Sequence, residues 1–219
     1  MVVSIAKRYG LGGGMKTNQS GRSMVEMLGV LAIVGVLSVG GIAGYSKAMN
    51  KYKLNKFVDQ MSNIISGIIT SYSGTGSVQG LDNATVKKLK LVPENMYEGN
   101  STAPKNFWGG YINFAASSQS LGYTTIYYDG IFYVQTNKIP KDVCITLLTA
   151  DWGSNLHGMG SISDSARPMP SVNPDAAASE TYAKNGDENY PTPFSMVRAE
   201  AVCSANSSTG MNLFWYFKI

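Results

Sequence analysis

Two cysteines, one histidine and fourteen carboxylates bound the chemistry open to this 219-residue chain. His157 is the sole histidine, so a multi-histidine metal site is excluded, and no nucleophile context makes it part of a triad. No phosphate-cradling glycine motif and no nucleophile elbow occurs. Asp187 and Glu188 fall in a polar stretch that reads as solvated surface, and Asp151, Asp164 and Asp175 are too scattered for a calcium loop. Enzymatic, metal and cofactor roles are therefore not expected. Glu26 is the carboxylate that stands apart. After it the chain carries no charge until Lys47, an apolar run of about 20 residues, enough to cross a bilayer core of about 30 Å as one helix. An ionisable residue in such a segment costs about 2.5–3.5 kcal/mol on insertion scales, so it normally marks a function and implies a partner. A glycine (Gly21), four residues, the glutamate and then an apolar helix also make a cut site that an enzyme can read.

The elements that would position Glu26 follow from periodicity. Gly29, Gly35, Gly40, Gly41 and Gly44 punctuate the apolar run. Each lowers helix propensity by about 1 kcal/mol against alanine, and small residues let neighbouring helices approach closely. Beyond the run, Leu54, Phe57, Val58, Met61, Ile64, Ile65, Ile68 and Tyr72 recur at steps of three and four, an amphipathic continuation of the same helix. No proline lies between residues 22 and 92, and Gly74-Thr75-Gly76 supplies a stop. One helix of about 50 residues is expected, half suited to lipid and half to a core.

Downstream, Asp82 or Asn83 can cap a short helix over Ala84–Leu91, ended by Pro93. Residues 104–110 read as loop. Tyr111–Ala115, Tyr123–Tyr128 and Ile131–Gln135 read as strands, the last two joined by an Asp129-Gly130 hairpin. Pro140–Ala150 reads as a helix with proline in its first turn. Residues 151–195, rich in Gly, Ser, Asn, Asp, Ala and Pro, read as a long surface excursion, and Met211–Lys218 as a closing strand. Only Cys144 and Cys203 are present, an even count that suits an oxidising compartment.

The Gly21–Glu26 spacing before the apolar helix resembles the class III signal of type IV prepilins. In that family a membrane-embedded aspartyl peptidase cuts after the glycine and methylates the new amino terminus. The resemblance implies cleavage between Gly21 and Arg22, a leader over residues 1–21 and a methylated Arg22 as first mature residue. An ordinary secretory signal has its apolar core before the cut, whereas here the core follows it and stays in the product. Arg22 departs from the phenylalanine or methionine usual at that position. Met15 offers an alternative start with a shorter leader. The leader carries Lys7, Arg8 and Lys16 and no acid, so eighteen basic residues fall to fifteen against fourteen acidic ones, and the mature chain carries +1. No nucleic-acid face follows from that balance.

The whole mature chain resembles the type IV pilin fold, an α+β architecture with a long N-terminal helix on an antiparallel sheet and a disulfide-closed C-terminal region. The resemblance implies four parts: the leader, a transmembrane and filament-core helix over 22–45, its amphipathic continuation over 46–74, and a globular domain over 75–219. Cys144 and Cys203 would bound a large loop as in the type IVb pilins, such as the toxin-coregulated and bundle-forming pilins. The implied function is a structural subunit that polymerises through its helix into a helical filament, with Glu26 neutralising the amino terminus of an adjacent subunit. Implied partners are further copies of the chain, the prepilin peptidase, inner-membrane assembly machinery and, before assembly, the membrane. The implied location is the bacterial inner membrane and then the extracellular pilus, with adhesion or aggregation as surface roles. A minor pilin or secretion-system pseudopilin, and a membrane-anchored binding module that never polymerises, stay open as alternatives.

Overall fold

A computed structural model of the chain describes residues 24–121, 124–162, 174, 177–204 and 210–219, with the backbone alone over 118–121 and 124–129. The first element is α1, Met24–Tyr72, one unbroken helix of 49 residues. Its second half obeys the sequence periodicity: Phe57, Met61, Ile64, Ile65 and Ile68 are buried. Full burial of each such side chain is worth about 1.5–3 kcal/mol, so this face is what holds the helix to the core. By compactness the chain divides into two units that meet between Met49 and Asn50.

In the second unit, α2 (Asn83–Lys88) is shorter than expected. Asp82 is its cap and accepts the Thr85 amide at 2.7 Å. The helix stops early because Lys90 takes a left-handed φ of 53°, with Lys90 N–H donating to Lys87 O and Leu91 N–H to Val86 O. That is a Schellman closure with lysine where glycine is usual. The Thr85 amide is also the main reason the Asp82 carboxyl is held below its ordinary pKa. Asp82→Ala is expected to lower stability by about 1 kcal/mol at neutral pH. A depressed folded pKa means this contribution is complete above an unfolded value of about 3.9 and fades as pH falls through the folded one. Urea melts of the two proteins should therefore differ at pH 7 and converge in strong acid.

The sheet is five-stranded and antiparallel, ordered β1-β2-β5-β3-β4, from β1 (Ile112–Leu121), β2 (Thr124–Ile139), β3 (Leu156–Ile162), β4 (Tyr182–Lys184) and β5 (Met211–Lys218). Two helices complete the unit, α3 (Lys141–Thr149) and α4 (Met196–Ser204). The closing strand β5 is central, between β2 and β3, and all of it but Lys218 is buried. Its Leu213, Trp215 and Phe217 join α1 in the main core, while Phe214 and Tyr216 join Ile131, Tyr133 and Tyr182 in a second cluster. Both faces of the sheet's middle are thus apolar, as strand alternation dictates.

Two expectations fail here. Asp129-Gly130 does not turn a hairpin: β2 runs through it and pairs with β1 as far as Leu121↔Thr124. Tyr123, a predicted strand residue, lies outside the described residues. The register jumps from Ala116↔Phe132 to Ser118↔Tyr127, leaving extra residues on β2 around Asp129-Gly130. Gly130, at φ 71°, makes that irregularity possible without strain. Residues 151–195 are not merely a surface excursion either. They supply β3 and β4, with Leu156, Met159 and Ala183 buried in the main core.

Candidate assembly surface

The first half of α1 offers the least ordinary surface of the chain. Leu31, Ile33, Val34 and Val36 point to different sides of the helix, and all are more than half exposed. A helix apolar all round is built for a membrane or a packed protein interior. Among the described residues this is the one helix long and apolar enough to cross a membrane, and none of its most apolar stretch is buried. The hydroxyl in the middle of this stretch is satisfied: Ser38 Oγ donates to Val34 O at 2.7 Å. A Cβ added at Gly29, Gly35, Gly40, Gly41 or Gly44 would meet nothing within 4 Å. Among the described residues nothing therefore asks for glycine at these positions.

Glu26 lies exposed in the first turn of α1. The N-terminal end of a helix is the positive end of its dipole, which favours a carboxylate by about 0.3–1 kcal/mol. Residues 1–23, Gly21 and Arg22 among them, lie outside the described residues.

The other singled-out pair does meet. Cys144 of α3 and Cys203 of α4 form a disulfide, with Cα atoms 6.0 Å apart and both residues buried. Around it, Phe194 N–H donates to Leu148 O at 2.9 Å, and Trp152 Nε1 donates to Leu147 O at 3.0 Å while its ring packs on Trp215. The bridge thus fastens α4, and the chain leading into it, to the helix that covers the core.

A second fastener escaped the sequence. Arg198 of α4 donates from Nε to Glu180 O at 3.1 Å and from Nη2 to Ser179 O. Its guanidinium lies 4.0 Å from the Phe194 ring centroid and 4.7 Å from that of Tyr190. Burial lowers its pKa, opposed first by the nearby Glu180 carboxylate; a guanidinium is cationic in proteins in any case. One side chain thereby ties α4 to the turn entering β4 and to the loop after it. A lone arginine in a polar stretch carries no periodicity that could have revealed this.

The remaining polar candidates take structural roles. Asp187 Oδ1 accepts the amides of Asn189 and Tyr190, a local turn, and Asp151 Oδ1 accepts that of Gly153. His157 Nε2 lies 3.3 Å from Pro174 O, which also accepts from the Tyr182 hydroxyl. Asp164 and Asp175 lie outside the described residues. Among the described residues no group of three His, Cys, Asp or Glu side chains could hold a metal ion.

Comparison with known proteins agrees with this arrangement. The chain is 22% identical over 194 residues to the major structural subunit of bundle-forming pilus of Escherichia coli O127:H6, covering 83% of this chain and 96% of that protein. It is likewise 22% identical to the corresponding subunit of Escherichia coli O111:H-, over 92% of this chain and 95% of that one. In fold it is similar to the crystal structure of TcpA, a type IV pilin from Vibrio cholerae El Tor biotype. The TM-score is 0.54 at 11% identity, covering 75% of this chain and 98% of that one. That likeness shows the type IV pilin fold. The sequence also matches the bundlin family over residues 46–218, the amphipathic part of α1, the sheet and the disulfide-closed region together. The chain belongs to the bundlin family of pilins.

Proposed function

We propose that this chain is a structural subunit of a type IVb-like pilus, polymerising through α1 once its leader is removed. The observation that carries this is the first half of α1: an apolar helix with no buried stretch, on a chain whose remainder folds as a bundlin-family pilin. Such a surface needs lipid before assembly and other helices after it. The prepilin peptidase would cut between Gly21 and Arg22 and methylate Arg22. Inner-membrane machinery would then draw the helix from the bilayer into a filament core. There Glu26 would face the freed amine of an adjacent copy, a pairing strongest in low dielectric. The second unit would coat the filament, and the region between Cys144 and Cys203 would carry its lateral packing and surface identity. The mature protein would reside in the inner membrane and then in the extracellular pilus, where filaments serve adhesion or aggregation.

Processing supplies the test. Gly21 must be small if the peptidase is to bring the backbone close to its carboxylates. Gly21→Leu should leave the uncut precursor in the membrane, with no filaments. A mature protein starting at Arg22 in that variant, shown by mass spectrometry, would contradict the proposal.

A further inference from the structure

The near-neutral mature charge conceals a segregation along the chain. Residues 27–58 hold Lys47, Lys51, Lys53 and Lys56 and no acid, a net of +4. Residues 59–219 hold ten basic and thirteen acidic residues, a net of −3. All four lysines follow the apolar run within about three helical turns. Lys47, Lys51 and Lys56 are exposed and Lys53 half-buried. Among the described residues none of them is ion-paired, the one ion pair there being Lys105–Glu98. Lys47 and Lys51 share one side of the helix, Tyr52 and Lys56 another, so charge surrounds it rather than forming a stripe. Tyr52 is 57% exposed, and the Lys56 ammonium lies 5.8 Å from its ring centroid and from that of Phe107.

We propose that Lys47, Lys51, Lys53 and Lys56, with Tyr52, form a basic collar that binds the anionic phospholipid headgroups of the leaflet from which the helix emerges. This rests on the reading that residues 22–45 cross the bilayer with the second unit on the non-cytoplasmic side. Side chains on a helix lean toward its N-terminus, here toward the apolar run. Lysines with long apolar stems, and tyrosine with its polar tip, suit the headgroup layer. Charge bias in membrane proteins ordinarily places lysines on the cytoplasmic side, so four of them on the other side call for a separate cause. Anionic headgroups supply one, because each lysine near such a surface strengthens binding about fivefold. The collar would surround the waiting subunit with anionic lipid and set part of the work needed to extract it into a filament.

The full chain, with its disulfide intact, is incorporated into vesicles of equal parts phosphatidylglycerol and phosphatidylcholine. Insertion is checked by resistance to alkaline extraction. Protein is then taken up in nonionic detergent, and co-purifying lipid is measured by mass spectrometry at low and high salt. Wild type should enrich phosphatidylglycerol about tenfold or more at low salt and approach parity at high salt. The K47Q/K51Q/K53Q/K56Q variant should insert equally and lose the enrichment, while K88Q/K90Q/K138Q/K141Q, altered at exposed lysines elsewhere, should keep it. Parity in inserted wild type, or equal loss in both variants, would overturn the collar. Failure of wild type to insert would overturn the membrane-spanning reading as well.

Discussion

Glu26→Gln is expected to abolish filaments while leaving cleavage and membrane insertion intact. The change keeps size and hydrogen bonding and removes only the charge. Glu26 is in the first turn of α1, so before assembly it would lie where headgroups and water can solvate either side chain, and an amide would be no harder to hold than a carboxylate. In a filament core the same position would be surrounded by apolar helices. An amine buried there without its counter-ion costs about 3–5 kcal/mol, enough to stop addition of each new subunit. Electron microscopy of sheared surface material together with the mass of the membrane-held protein would check both halves. Abundant normal filaments from the variant would refute charge pairing as the assembly device.

Removing the disulfide should have a comparable effect on the subunit itself. Cys144 and Cys203 are 59 positions apart, and in the chain-entropy model closing such a loop removes about 4 kcal/mol of unfolded-state freedom. Cys203→Ser should lower stability by about 2–5 kcal/mol, a large share of the about 5–15 kcal/mol typical of a domain. Arg198 would still hold α4 to the strand β4 entry, so the expected defect is loosening and proteolysis rather than a different fold. Wild type should shift on non-reducing gels and expose no thiol to alkylation, and the variant should be depleted from the cell surface. Two freely alkylated thiols in folded, exported wild-type protein would rule out the bridge.

What the sequence disclosed depended on how far each element obeys a local rule. Helix α1 announces itself through a run too apolar for anything but lipid or helices, followed by a clean three-and-four periodicity whose apolar side-chain face is buried as expected. The strand β5 was legible because Met211–Lys218 is aromatic and uninterrupted. Helix α3 begins at Lys141, directly after Pro140, as proline at a helix start suggests. Strand β3 hid because it is glycine-rich. A Cβ at Gly160 would fall 2.3 Å from Thr181 O and 2.7 Å from Phe214 Cζ, so glycine is there for close approach, not for a turn. Asp129-Gly130 misled for the converse reason: a dipeptide that suits a tight turn also suits an irregularity inside a long strand. Helix α4 has Met196 and Val197 exposed and Ala199, Val202 and Cys203 buried, too short a pattern to stand out beside a polar loop. The clamp at Arg198 could not be foreseen, since its partners are carbonyls and rings brought together by folding.

On the proposed function, this chain is cut after Gly21 and then polymerises through α1. Intact-mass analysis of filaments sheared from the cell surface tests it most directly. The predicted result is a filament built of a chain that begins at methylated Arg22 and retains the Cys144–Cys203 bridge. Recovery of the chain solely as membrane-held protein that keeps residues 1–21, with none in filaments, would contradict it.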